Sequence, residues 1–273
     1  MGVVAISETL GSLGGEIGRV LARSLAYEFA DREIIAKAAE RFGEGVMELA
    51  HVTEERPTLW ERLADTKRHY LASVEAILFA MAARDNVILS GRGAAFLLGG
   101  ISHVLRVRIT APDGVRAERV AHQQGLGRDA ALALVRQADR EQAARIRFLY
   151  HVDWEDPLLY DLLLNTQRLS PEKAARLVQG ALQDPSFHPS EESRRELADL
   201  ALVAQVKAAL MLNPITRPLQ LHLTSKDGVL SLGGLVEQEE QRQVAQEIAG
   251  RVPGVARVLS EIVVAPTHRR MPV

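Results

Sequence analysis

At 273 residues, with 47% hydrophobic and 25% charged side chains, the chain is long enough for two domains, each with an apolar core. A formal net charge of -2 gives no bulk attraction to nucleic acid or anionic lipid, and aromatics at 4% are too few for an extended base-stacking platform. The absence of cysteine excludes disulfides, thiolate zinc sites and cysteine nucleophiles.

The opening residues carry neither the basic start nor the long apolar run of a signal peptide. No apolar stretch approaches the roughly 20 residues that span a bilayer, so a cytoplasmic location is expected. Residues 2–6 form an apolar, largely β-branched run that reads as a strand. After a glycine-rich stretch, Ile17, Val20, Leu21, Ser24 and Leu25 recur at helical spacing within residues 16–29. Helices are expected over 31–50 and 58–84, then a strand over 86–90 that runs into Gly91-Arg92-Gly93. A strand over 104–109 ends at Ala111-Pro112. Helices over 113–123 and 128–148, a strand over 162–164 and a helix over 170–183 follow. Strands alternating with helices predict an α/β domain, a parallel sheet with helices on both faces.

Residues 184–193 are rich in Pro, Ser and acid without periodicity and read as a linker. Beyond it come a helix (194–212), a strand (218–224), a turn at Asp227-Gly228, a strand (229–235), a helix (237–251) and a strand (256–264). Asp-Gly between alternating runs is a strong hairpin signal, so this part reads as a small α+β unit of order αββαβ, with a tail at 267–273.

The segment Gly11-Ser12-Leu13-Gly14-Gly15-Glu16-Ile17 lies between a buried strand and a helix. Such a loop can aim several backbone N–H groups and the positive end of a helix dipole at one anion. Judged by itself, the same segment equally describes a turn that merely joins strand to helix.

Residues 6–17 and 21–35, then Val87 to Leu98, Val104 to Pro112, Asp139-Arg140 and Val152 to Thr166, resemble in order and spacing the cytidylate kinase-like family. These are P-loop relatives of the nucleoside monophosphate kinases, and the resemblance covers about residues 1–183. It implies a P-loop sheet domain that uses ATP and Mg²⁺ to move a γ-phosphoryl group onto CMP or a similar monophosphate. It makes Gly11 to Ile17 the donor-phosphate loop and sets Asp31 and Arg32 at the start of the monophosphate-binding region. Gly91, Arg92 and Gly93 would hold the acceptor phosphate, and Arg136, Asp139, Arg140 and Arg145 would belong to a lid. Asp31 equally suits a helix N-cap, and the lid arginines, at i, i+4 and i+9, equally suit a solvated helix face. Trp154 and Tyr160 read as packing residues.

The loop departs from the P-loop pattern, which places Lys and then Ser or Thr after its last glycine. Gly15 and Glu16 follow the second glycine here, and Leu13 replaces a flanking glycine. Arg19, one turn beyond Glu16, is the candidate replacement cation, with Arg140 and Arg145 as further catalytic candidates. No side chain is singled out as a metal ligand.

Residues 194–266 resemble a BON domain through Val206 to Leu210, Lys226 to Val236 and Ala249 to Val258. The resemblance implies a protein or membrane-surface partner and no catalysis. Gly228 and Gly254 read as turn residues at positive φ. A catalytically degenerate nucleotide sensor and a purely structural interaction protein are the alternatives to an active kinase.

Overall fold

The computed structural model describes residues 2–30 and 64–265, the side chains of 64–70 excepted. The expected helix over 31–50, together with Asp31 and Arg32, lies outside the described residues, as does the 267–273 tail.

Five strands form one sheet: β1 (Val3–Glu8), β2 (Glu28–Ala30), β3 (Val87–Ser90), β4 (Val104–Thr110) and β5 (Leu162–Asn165). Their order is β2-β3-β1-β4-β5 and every neighbouring pair is parallel. A parallel strand covered on both faces must be apolar throughout, and Val3, Val4 and Ala5 are each 0% exposed. Alternate residues serve opposite faces. Val4 and Ile6 meet α1 (Gly14–Leu25) and α6 (Pro171–Leu182) through Ile17, Leu21, Ala174 and Val178. Val3 and Ala5 meet α2 (Ala64–Ala82), which is buried nearly all round from Ala72 to Ala82. A four-residue helix α3 (Ala94–Leu97) follows β3, and α4 (Asp113–Gln124) and α5 (Arg128–Tyr150) follow β4.

The helix expected over 16–29 stops at Leu25. Ala26 turns to φ 55 and the Tyr27 N–H closes onto the Ala22 carbonyl, freeing Glu28 to Ala30 to pair with β3. A three-residue strand is too short for periodicity to reveal.

The stretch 184–193 carries its own caps. Asp184 accepts the Ser186 N–H at 2.9 Å across a 3₁₀ turn, and Ser190 and Ser193 exchange N–H···O bonds as a capping box. They start α7 (Glu191–Leu212), three residues before the position expected from periodicity. Leu197, Ala201, Ala204, Ala208 and Met211 of α7 join the cluster beneath the large sheet and pack on α2. Val206 and Leu210 of the same helix join a second cluster, with Leu230, Leu232, Val236, Ala245, Ala249 and Ile262. That cluster belongs to a three-stranded sheet, β6 (His222–Lys226), β7 (Val229–Val236) and β8 (Arg257–Val264), with α8 (Glu239–Gly250) against it. β6 and β7 are antiparallel across Asp227 (φ 51) and Gly228 (φ 79), the two positive φ values of a type I′ hairpin. β8 runs parallel to β7. β6 starts at His222 rather than at 218, because turns at Asn213 to Leu219 engage the preceding amides. Among the described residues no helix is long and apolar enough to cross a membrane.

One polar cluster joins α7 to the large sheet. His103, 0% exposed, sits with Nδ1 2.8 Å from Ser193 Oγ and Nε2 3.9 Å from Asp85, which pairs with Arg194. Burial holds the imidazole pKa below its ordinary value, Asp85 and Glu196 oppose that, and Arg194 reinforces it. The unfolded ring takes its proton near pH 6.5 whereas the folded ring resists to lower pH. Between those two values the unfolded chain holds the extra proton, so stability falls as the pH drops below about 6.5. Urea unfolding between about pH 7.5 and 5.5 should show this decline, and His103→Gln should flatten it.

Candidate functional site

Ligands of open parallel sheets bind beyond the carboxyl ends of the strands, where the chain switches direction across the sheet. Here that point is the end of β1, between β3 and β4. The chain leaves β1 at Glu8, the Thr9 N–H bonds to the Ile109 carbonyl, and Gly11 (φ 77) and Leu13 (φ 67) turn it into α1. A Cβ at Gly11 would lie 2.8 Å from the Arg116 carbonyl, so glycine is required there. Leu13 occupies the left-handed conformation without glycine's freedom, at a cost of about 1–2 kcal/mol. Ser12 is fully buried and its hydroxyl has no hydrogen-bond partner among the described residues.

Counted forward from the end of β1, the pattern G-x-x-x-x-G-K-[ST] puts Glu8 at the first glycine, Leu13 at the second and Gly14 at the lysine. This corrects by one residue the placement of the lysine and hydroxyl at Gly15 and Glu16 expected from the glycine run. Glu8 turns its carboxylate into the loop. Oε2 accepts the Gly15 N–H at 2.9 Å and Oε1 accepts the Ser90 hydroxyl at 3.2 Å.

Two arginines of α4 hold the loop from behind. Arg116 is 3% exposed and donates to Asp139 through both Nη atoms (3.0 and 2.7 Å). It also donates to Asp113 (2.6 Å) and to the carbonyls of Ala111 (2.8 Å) and Leu10 (3.3 Å). Arg119 donates to the Gly11 carbonyl at 3.1 Å and to both oxygens of Thr166 (3.0 and 2.7 Å). The Thr166 hydroxyl in turn donates to the Ser12 carbonyl at 2.9 Å. Every loop carbonyl from Leu10 to Ser12 thus has a donor from outside the loop.

A cavity opens on each side. One, of about 710 Å³, is lined by Glu8, Gly11, Leu13, Gly15, Glu16 and Arg19 from the loop side, and by Arg119 and His122 from α4. The other, of about 700 Å³, lies between the loop, the end of β3 and α5, and includes Ser90, Gly91, Arg92, Gly93, Arg145 and Tyr150. Glu8 and Gly11 line both. Arg92 sits at φ 54 between Gly91 (φ 83) and Gly93 (φ 80), and its carbonyl accepts the Tyr150 hydroxyl at 2.7 Å. Arg92 is thus the strained residue of the turn, since the flanking glycines take positive φ freely, and such strained positions gather at binding sites.

The arginines of α5 separate. Arg145 lines the second cavity, Arg140 is exposed, and exposed Arg136 lies 3.4 Å from Asp113. Asp139 lines neither of these two cavities and is engaged by Arg116. Arg19 is exposed, its guanidinium 5.4 Å from the centre of the Phe29 ring. Sequence reasoning passed over Glu8, Arg108, Arg116, Arg119 and Thr166. Arg108 is 5% exposed, donates to Ser7 at 2.8 Å and lies over the Trp154 ring at 3.8 Å, with Tyr160 at 5.8 Å. Burial pushes its pKa down, with Tyr160, Asp139 and Glu155 opposing. Trp154 and Tyr160 thus supply a cation platform as well as packing. Among the described residues no group of three metal-ligating side chains occurs.

A parallel sheet with a glycine loop between its first strand and first helix, flanked by two nucleotide-sized cavities, has the architecture of a P-loop kinase. Residues 3–168 match the cytidylate kinase-like family and residues 198–266 the BON domain. The chain is 31% identical over 191 residues to a cytidylate kinase of Natronomonas pharaonis, a match spanning 70% of this chain and 93% of that one. It is 30% identical over 195 residues to a cytidylate kinase of Methanopyrus kandleri, spanning 67% and 95%. An uncharacterized protein from Eubacterium ventriosum shares the fold at TM-score 0.52 and 16% identity, over 67% of this chain and 99% of that one. The chain belongs to the cytidylate kinase-like family.

Replacing Arg116 by alanine removes the donor shared by Asp139, Asp113 and the carbonyls of Leu10 and Ala111. Because the carboxylates keep access to water, the loss is expected to cost about 1–3 kcal/mol of unfolding free energy, measured by urea denaturation.

Proposed function

We propose that the chain binds ATP and a nucleoside monophosphate on opposite sides of the 9–15 loop and transfers the γ-phosphoryl group to CMP or a similar acceptor. The observation that carries this reading is the pair of cavities of about 710 and 700 Å³ that meet at Glu8 and Gly11. Phosphoryl transfer is mostly positioning and charge stabilisation, and two sites sharing one phosphate loop supply the positioning. Gly11 to Ile17 would hold the donor phosphates, with Arg19 supplying a cation beside them. The acceptor phosphate meets Arg92 and Arg145, with Arg140 and Arg136 on the same helix for closure. Asp139 acts through Arg116, holding that helix against the loop.

The residues suit ATP and Mg²⁺. Glu16 brings a hard oxygen donor to the first cavity, and Arg19 and Arg119 line it with positive charge for the phosphates. Mg²⁺ arriving with ATP supplies neutralisation of the triphosphate charge. The BON domain is proposed to contact a protein or membrane surface, and the location to be cytoplasmic.

One observation favours a second reading, a nucleotide sensor without turnover. No lysine stands at Gly14, and the Gly15 N–H is already taken by Glu8. A coupled assay separates the two. ADP formation that depends on added CMP supports the kinase, whereas nucleotide-induced thermal stabilisation without turnover supports the sensor. No binding at millimolar nucleotide overturns both. For the kinase, Arg92→Ala is expected to lower kcat/KM for the monophosphate by about 10²-fold.

A further inference from the structure

The first amides of a helix have no intrahelical acceptor, and they are the donors that a phosphate takes from a loop of this kind. Gly15 is the second residue of α1, and its N–H is bonded to Glu8 Oε2 at 2.9 Å. The other carboxylate oxygen is fixed by the Ser90 hydroxyl at 3.2 Å, so the group is held across the mouth of the loop from β3. A carboxylate and a phosphate oxygen are both anionic acceptors, and one N–H cannot serve both at full strength.

Gly14 makes room for this arrangement. A Cβ at residue 14 would collide with the Glu8 carboxylate and its Cβ, so the place of the P-loop lysine stays without a side chain while Glu8 is seated. The missing lysine and the inserted carboxylate are two halves of one packing solution. The carboxylate also reaches both cavities, since Glu8 lines each of them.

We propose that the Glu8 carboxylate is a built-in occupant of the phosphate seat, displaced when a nucleotide binds, and that it sets the loop's affinity for phosphate. This inference rests on reading the loop as phosphate-binding. Glu8 acts by competing for the Gly15 N–H, not as a catalytic residue.

The test is calorimetric titration of ATP, and separately of inorganic pyrophosphate, into the full chain and its Glu8→Gln, Glu8→Ala and Glu118→Gln variants. Glu118 removes the same charge from the wall of the first cavity without touching the loop. Glu8→Ala should bind both ligands about tenfold more tightly than wild type and Glu8→Gln by a smaller factor, with Glu118→Gln changed by less than about threefold. The Gly15 amide proton resonance should move upfield in ligand-free Glu8→Ala, and ATP should move it back downfield. If Glu8→Ala binds ATP no better than wild type, or Glu118→Gln gains as much as Glu8→Ala, the proposal fails and the phosphate-loop reading stands. If no folded variant binds either ligand, that reading fails and takes the proposal with it.

Discussion

A guanidinium cannot shed its charge on burial, so Arg116 has to satisfy its donors from whatever surrounds it. At 3% exposure it gathers the Leu10 carbonyl from the glycine loop, the Ala111 carbonyl from the end of β4, Asp113 from its own helix and Asp139 from α5. Three stretches of chain, around residues 10, 111–116 and 139, converge on one cation. The loop cannot shift relative to α5 without stranding a charge, and the second cavity is the gap left between these fixed walls. Arg119, one turn further along, repeats the arrangement on Gly11 and Thr166.

With its carbonyls tied from behind, the loop turns the carboxylates of Glu8 and Glu16 toward the first cavity. The arginines that line the cavities come from separate elements: Arg19 from α1, Arg92 from the turn after β3, Arg119 from α4 and Arg145 from α5. Glu8 stands among them with the opposite sign. Electrostatically the site resembles one that already holds an anion, the anion being covalently part of β1.

The alternation of buried strands with helices was legible because periodicity records burial, and β1, β3, β4 and the Asp227-Gly228 hairpin lie close to where the pattern put them. Elements that periodicity cannot register were not legible: the three-residue β2 and the four-residue α3. The glycine loop and the turn around Arg92 were visible from composition, since glycine clusters mark positive φ. The partners of the loop were hidden for another reason. Arg116, Arg119 and Thr166 bond to it over sequence separations of roughly 100 residues or more, or across a helix–strand crossover, and single positions carry no sign of such pairings. Glu8 lies within the stretch of residues 6–17 that carries the family resemblance. Its role depends on the collision that a Cβ at Gly14 would cause, which is a matter of coordinates rather than of residue type.

Helix α7 gives Ala201, Ala204 and Ala208 to one apolar cluster and Val206 and Leu210 to another. Neither core is closed without it. Unwinding α7 to release the small sheet would lay bare the alanines of α2, so the two units share one cooperative block of unfolding. A chain shortened before Glu191 would carry that bared stripe into solution as an adhesive face. Grafting a different C-terminal module onto the large sheet would therefore have to bring this helix with it, making the helix the fixed joint between the small unit and the large sheet.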